Sequence, residues 1–256
     1  SLIAFSAVLA TWVIREWFGA DEATMGGMIA GCGVAILACS GLGLFSGSMI
    51  AYFGVPSFVA TLGMMMVGSG FAYMLSGGLS IYQLPNSFDW LGRGDDWGGI
   101  PNAVVLMVVL YVIAHTIMSR TTVGRYIYAV GGNPEAARLS GVPVKKILLG
   151  VYASCGALAG LGGVIMASQF KSGDPKYGLM YELYVIAAVV VGGTSLSGGR
   201  GKVFGTLIGA FIIAVIQNGM NLTGVQSYTQ KVVLGVVLLV AVLLDMLKKR
   251  GWKLSL

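Results

Sequence analysis

Few residues of this 256-residue chain have side chains of the types that carry out chemistry. The single histidine, His115, lies near the end of an apolar run and has no predictable Ser, Asp or second His partner for nucleophilic or metal chemistry. Cys32, Cys39 and Cys155 lie in apolar stretches without CxxC spacing. We therefore predict no catalytic residue and no metal site. We expect His115 to pack at a helix end and the cysteines to be small buried hydrophobes.

The glycine-rich stretch from Gly192 to Lys202 is the segment that most resembles a phosphate-binding loop, because backbone amides in such loops can surround an anion. Its spacing argues against that interpretation. After Gly193-x-x-x-x-Gly198 come Gly199 and Arg200 instead of Lys and Ser or Thr, and apolar segments flank the loop. A tight reversal between two membrane helices, with Arg200 and Lys202 at the lipid headgroups, is favoured over a nucleotide site.

Polar side chains inside the apolar runs are sparse enough to line a passage. The pathway candidates are Thr61, Met65, Ser69, Gln169, Asn218 and Asn221. For any one of them, a hydrogen bond between helices is the competing role, since a buried polar group in lipid needs a partner. So weakly polar a set suits a neutral solute better than an ion. Neither Glu182 nor Asp245 lies at the centre of a run, which weakens the case for proton coupling.

Composition identifies the class of protein that must position these residues. The chain is 56% hydrophobic and only 10% charged, with a mean hydropathy of +0.84, far from soluble globular proteins with roughly 25% charged residues. We predict an all-α, polytopic membrane bundle. Its 40 glycines include the pairs Gly27/Gly31, Gly156/Gly160 and Gly205/Gly209, which we expect to pack helices within the chain. The net charge of +6 is attributed to membrane orientation and not to nucleic acid.

Eight apolar runs predict about eight membrane segments in a single domain over 1–256. They cover 1–14, 23–45, 57–76, 100–118, 147–169, 183–194, 203–221 and 231–247. The first run is too short to span, and we expect it to be the remainder of a truncated helix. The run 183–194 ends in two glycines, so it is either a short helix or a broken one, which makes it a candidate element of the pathway.

The charges between the runs predict the orientation. Assigning 119–146, 195–202 and 248–256 to one side collects eleven of the sixteen basic residues, Arg250 and Lys253 among them. The opposite loops, at 15–22, 77–99 and 170–182, hold eight of the ten acids, including Asp21 and Glu22. The basic side is predicted to be cytoplasmic, which places both chain ends there and makes 77–99 the long periplasmic loop, with Trp90 and Trp97 as interfacial anchors.

The polar segment 119–146 contains signals for one short helix. Asn133 is a typical N-cap, Pro134 suits the first turn, and Glu135 and Arg138 complement the helix dipole. Gly141 and Pro143 end it. A helix of about two turns is too short to be stable alone. It could dock into a groove of a partner protein or lie on the membrane, and the residues alone do not decide between these roles.

Several long blocks resemble a known family. Val123 to Val142, Tyr181-Glu-Leu183, Ile186 to Lys202 and Gly205 to Ala210 are similar to the permease subunits of bacterial ABC importers of the ribose, xylose and galactose type. The likeness extends over essentially the whole chain. It implies a subunit of about ten helices in the bacterial inner membrane that pairs as a homodimer and receives sugar from a periplasmic binding protein. A separate cytoplasmic ATPase, which holds ATP and Mg²⁺, would drive it.

The resemblance also implies which residues contact the ATPase. The coupling region would comprise Gly131, Gly132, Asn133, Pro134, Glu135, Ala136, Ala137, Arg138, Leu139, Ser140 and Gly141. A second cytoplasmic signature would comprise Gly192, Gly193, Thr194, Ser195, Gly198, Gly199, Arg200 and Gly201. The chain itself would bind no cofactor and hydrolyse nothing.

Two departures from the family pattern matter. The family usually carries a Gly-x-Asp-Leu-Ser-x-Gly-Ser block near its second and third helices. By the resemblance, Ser1 is expected to be the final Ser of that block, and about the first two helices are expected to be missing. It also has Met180-Tyr-Glu-Leu-Tyr184 where many relatives have Gly-Tyr-Glu-Leu-Asp. The alternatives are a permease for another small solute (a nucleoside, an autoinducer or a branched-chain amino acid), a self-contained channel or secondary carrier, or a membrane scaffold.

Overall fold

The computed structural model describes residues 1–20, 23–96 and 98–249, which form α-helices joined by turns and loops. The helices are α1 (Leu2–Phe18), α2 (Met25–Phe53), α3 (Ser57–Ser76), α4 (Trp90–Arg93), α5 (Asn102–Arg120), α6 (Thr122–Gly132), α7 (Pro134–Leu139), α8 (Val144–Phe170), α9 (Tyr181–Val191), α10 (Val203–Leu222) and α11 (Ser227–Lys249). The predicted all-α class is confirmed. The charged positions Asp21, Glu22, Arg250 and Lys253 and the aromatic anchor Trp97 lie outside the described residues.

The long apolar helices match the predicted membrane segments. Five of them, α2, α3, α5, α8 and α10, are long and apolar enough to cross a bilayer. The apolar part of α11, Ser227–Leu243, is shorter, as is α9. With eleven residues, α9 rises only about 16 Å, roughly half of a bilayer's apolar thickness. Of the two forms predicted for 183–194, the chain adopts the short unbroken helix, and the total of eight spans stays a prediction.

The chain divides into two compact units, each of which is described by itself. Unit 1 consists of Ser1–Val108 and Pro143–Leu179, and unit 2 consists of Val109–Val142 together with the chain from Met180 onward. Unit 1 therefore contains α1–α4 and α8, and unit 2 contains α6, α7 and α9–α11.

Helix α1 lies at the centre of unit 1 although it is short. It packs against α2, α3 and α8, and Val8, Thr11 and Ile14 are completely buried. The buried Ser6 hydroxyl donates a 2.6 Å hydrogen bond to the carbonyl oxygen of Gly160 in α8. Such a bond satisfies a polar group that would otherwise lose its partners away from water. The run 1–14, which the sequence analysis interprets as the remainder of a helix, thus forms the core of this unit.

Helices α2 and α8 touch through their backbones at glycine positions. A Cβ atom added at Gly156 would collide with the carbonyl oxygen of Cys39 and lie 3.2 Å from the Cα of Gly43. The predicted packing role of Gly156 and Gly160 within the chain is confirmed. Of the three cysteines predicted to be buried, Cys39 is buried and Cys32 is half-buried. The prediction is wrong for Cys155, which is exposed because α8 turns the neighbouring Gly156 toward α2.

The long loop 77–99 is folded onto the end of α8. The buried Ser168 hydroxyl donates to the carbonyl of Phe88 at 2.6 Å and accepts from the amide of Gly92 at 2.8 Å. Ser80 donates a 2.6 Å hydrogen bond to a carboxylate oxygen of Asp174, which lies in the loop after α8. These contacts join the two loops, predicted to be periplasmic, into one cap at the same end of unit 1.

In unit 2, α9 packs against α10 and α11. Ala187 and Ala188 of α9, Ile213 of α10 and Leu234 of α11 form a buried apolar cluster. A Cβ atom at Gly209 would collide with the carbonyl oxygen of Ala188, so α10 reaches α9 closely only because this position lacks a side chain. The cluster packs the middle of α10 against α9 and α11.

We expect Gly156→Ala to destabilise the protein more than Gly162→Ala. Both glycines lie in α8, but a Cβ at Gly162 meets nothing within 4 Å, whereas one at Gly156 overlaps the backbone of α2. Overpacking costs about 1–3 kcal/mol, while glycine to alanine in an unobstructed helix gains up to about 1 kcal/mol. Thermal unfolding midpoints of the two purified variants measure the difference. Equal midpoints would contradict this account of the α2–α8 contact.

Candidate functional site

Helix α7 forms where the capping residues predict it. The side-chain oxygen of Asn133 accepts hydrogen bonds from the amides of Glu135 and Ala136, both at 3.0 Å. Pro134 occupies the first helical position. The helix ends at Leu139, and Gly141 then adopts a left-handed conformation with φ of 82°. The predicted start, stop and length are confirmed, and an N-cap of this type contributes about 1 kcal/mol.

The surface of α7 combines one apolar residue with one ion pair. Leu139 is 80% exposed, whereas Ala137 faces inward and is buried. Arg138 and Glu135 form an exposed ion pair with a 2.7 Å N–O distance. An exposed pair of this kind contributes little to stability. The helix therefore presents Leu139 and a charged edge outward.

Helix α6 leads directly into α7, and the sequence analysis missed it. It begins at the N-cap Thr121, whose hydroxyl oxygen accepts a 3.3 Å hydrogen bond from the amide of Gly124. Asn133 is both the residue that ends α6 and the N-cap of α7. Thr121 was the available signal, because threonine is a preferred N-cap residue. The bend at Asn133 sets the direction in which α7 leaves the bundle.

The glycine-rich stretch forms the tight reversal predicted between α9 and α10. The amide of Ser195 donates to the carbonyl of Arg200 at 3.0 Å, and the amide of Gly198 donates to the carbonyl of Ser195 at 3.1 Å. Gly198 and Gly199 have φ angles of 81° and 73°, which favour glycine because residues with a Cβ are strained there. This segment therefore connects two helices and does not form the strand and turn of a phosphate-binding loop.

The two predicted cytoplasmic segments meet through their glycines. A Cβ atom at Gly131 would lie 2.9 Å from the amide nitrogen of Gly199, and one at Gly199 would lie 2.7 Å from the Cα of Gly132. A Cβ atom at Gly198 would collide with the carbonyl oxygen of Gly131. The end of α6 thus rests directly on the backbone of the reversal. The structure brings together residues that lie more than sixty positions apart in the sequence.

A hydrogen bond reinforces this contact. The hydroxyl of Tyr128, in α6, donates to the carbonyl oxygen of Gly201 at 2.9 Å. On the other side of the reversal, a Cβ atom at Gly192 would collide with the carbonyl oxygen of Gly205 in α10. The reversal is therefore held between α6 and the start of α10, and α7 extends from this junction.

The pathway candidates do not form one cluster within a unit. Thr61, Met65 and Ser69 lie four residues apart along α3 in unit 1, and Gln169 lies at the end of α8. Asn218 and Asn221 belong to α10 in unit 2. The hydroxyl of Thr61 donates to the carbonyl oxygen of Ser57 within its own helix. The assignment of these residues to a pathway stays a prediction.

His115 has the packing role that the sequence predicts. Its ring lies 4.5 Å from the ring of Phe204, centroid to centroid. Across residues 1–20, 23–96 and 98–249, no group of three or more His, Cys, Asp and Glu side chains is arranged to hold a metal ion. The candidate site is the junction of the end of α6 with the reversal between α9 and α10, from which α7 extends.

The chain is similar to known proteins over most of its length. The family described as "Branched-chain amino acid transport system / permease component" matches residues 1–242. The chain is 41% identical to the ribose import permease protein of Escherichia coli strain K12 over 235 residues, which cover 89% of this chain and 73% of the relative.

Two further relatives come from the same strain. The chain is 41% identical to a probable ABC transporter permease protein over 76% of this chain and 58% of the relative. It is 36% identical to the L-arabinose transport system permease protein over 80% of this chain and 62% of the relative. No solved structure matches the chain.

These matches extend over the helices of both units, including α6, α7 and the glycine-rich reversal. The chain therefore belongs to this family of membrane transport permease components.

Proposed function

We propose that this chain is the permease subunit of an ATP-driven importer and forms the membrane path of a monosaccharide. The single observation that carries the proposal is the 41% identity to a ribose import permease over 89% of the chain. A second relative is named for L-arabinose transport. Both names refer to pentoses, which favours a pentose such as ribose, arabinose or xylose over a hexose such as galactose. A neutral sugar also suits the weakly polar side chains along the apolar helices.

The family description names branched-chain amino acids, but the individual relatives favour a sugar. A self-contained channel or secondary carrier would require a charge or a carbonyl filter near the bilayer centre. A relative that is 41% identical to this chain is named as a probable ABC transporter permease, a class that ATP drives. An external source of energy is therefore the better account.

We propose α7 as the contact through which a cytoplasmic ATPase drives transport. ATP and Mg²⁺ would bind to that partner and not to this chain. The exposed Leu139 fits an apolar groove, and Glu135 and Arg138 can pair with charges at its rim. Motion of α7 would pass to the reversal, because Gly131 and Gly132 rest on Gly198 and Gly199. The reversal would then move the ends of α9 and α10.

The remaining partners follow from the predicted orientation. The chain would lie in the bacterial inner membrane with both ends in the cytoplasm and with lipid around its apolar helices. A periplasmic sugar-binding protein would approach the cap formed by the loops 77–99 and 170–180. A second copy of the permease would complete the path.

We expect deletion of the gene for this permease to abolish uptake of a pentose. Uptake of radiolabelled ribose and L-arabinose by intact cells measures the effect, with radiolabelled leucine as the control solute. A plasmid copy of the gene should restore the lost uptake. Unchanged pentose uptake together with lost leucine uptake would contradict the proposed substrate class.

We expect Glu135→Arg to uncouple transport without preventing membrane insertion. The substitution places a positive charge in the first turn of α7, where the helix dipole disfavours it, and replaces the ion pair with Arg138 by a repulsion. Uptake should fall at least tenfold at an unchanged amount of permease in the membrane. Glu135→Gln, which removes the charge without reversing it, should retain more of the activity. Full uptake by Glu135→Arg would overturn the assignment of α7.

A further inference from the structure

A cavity of about 310 Å³ opens beside the glycine-rich reversal in unit 2. Its lining includes three residues that carry hydroxyl groups, Thr194, Ser195 and Thr206, and two that carry positive charges, Arg200 and Lys202. Met118, Ile127 and Val203 make part of the lining apolar. Among the described residues that line it, none is acidic. The cavity therefore combines donors for an anion with a neighbouring apolar wall.

Among the described residues, no carboxylate forms an ion pair with either cation of the cavity. In the described part of the chain, the ion pairs are Arg15 with Glu16 and Arg138 with Glu135. Arg200 and Lys202 are both exposed. Both residues line the same opening, and no acidic residue is among the described residues that line it, so the local charge favours an anion. The cavity is large enough for a phosphate with part of its alcohol substituent.

The position of the cavity identifies which kind of phosphate fits. It lies where α9 has ended at Val191 and α10 begins at Val203, so the apolar helices give way to polar backbone at this level. Phospholipid phosphates lie at that boundary of a bilayer. Basic pockets between membrane helices at the cytoplasmic side bind anionic headgroups. The apolar wall would contact the first carbons of the lipid, which a free phosphate lacks.

We propose that this cavity binds the phosphate of an anionic phospholipid headgroup, held by Arg200, Lys202 and the neighbouring hydroxyls. The proposal does not depend on which solute is transported. A lipid bound here would contact Gly198 and Gly199, which support the base of α7, so lipid composition would affect the junction described above.

The test measures lipid binding by the purified permease in nanodiscs of phosphatidylcholine. Phosphatidylglycerol is added in one arm and inorganic phosphate in another, and bound lipid is counted by native mass spectrometry beside the thermal unfolding midpoint. We expect phosphatidylglycerol to bind and to raise the midpoint. In the double variant Arg200→Gln/Lys202→Gln, its affinity should fall about tenfold or more, since each interfacial cation contributes appreciably to anionic-lipid binding.

Arg120→Gln/Arg125→Gln is the matched control, because it removes two exposed positive charges that do not line the cavity. It should bind phosphatidylglycerol as the unaltered protein does, and Arg200→Lys/Lys202→Arg should retain most of the binding. An unchanged midpoint in phosphatidylcholine alone shows that each variant is folded. Equal losses in both double variants, or no phosphatidylglycerol binding at all, would overturn the proposal. If inorganic phosphate raised the midpoint as much as phosphatidylglycerol does, the ligand of the cavity would be a soluble phosphate and the lipid proposal would be wrong.

Discussion

The direct backbone contact between Gly131–Gly132 and Gly198–Gly199 is the interaction on which the proposed site depends. It lets the end of α6 approach the reversal between α9 and α10 more closely than any residue with a Cβ would allow. Because α7 begins two residues after Gly132, this contact also fixes the base of the helix that carries Leu139. In the proposed mechanism, a force applied to α7 would therefore reach α9 and α10 through backbone contacts and not through flexible side chains.

How much of this could be predicted from the sequence depends on the range of the interactions. The caps of α7 are local, so Asn133, Pro134 and Gly141 predict both of its ends correctly. The long apolar helices follow from hydropathy for the same reason. Helix α6 was missed because its signal, Thr121, is weak and its residues include glycines and β-branched residues. The contact between glycines sixty positions apart depends on the tertiary arrangement, which local patterns do not encode.

In unit 1, too, the sequence predicted local features but not the packing partners of the helices. The glycine pair in α8 predicted a close helix contact, but the partner glycine of α2, Gly43, became evident only from the fold. Hydropathy described α1 by its length alone, whereas its buried residues and the bond from Ser6 to Gly160 place it at the centre of the unit. Length predicts whether a helix can span a membrane and says little about where it packs.

The most direct measurement of the central claim compares sugar uptake by Gly198→Ala and Gly193→Ala at equal amounts of permease in the membrane. Both glycines have positive φ angles, 81° and 84°, so alanine strains the backbone similarly at either position. Only at Gly198 would the added Cβ also collide with Gly131, because nothing lies within 4 Å of one at Gly193. The account predicts that Gly193→Ala retains most uptake and that Gly198→Ala loses most of it. Equal uptake by the two variants would show that the glycine contact does not carry the coupling.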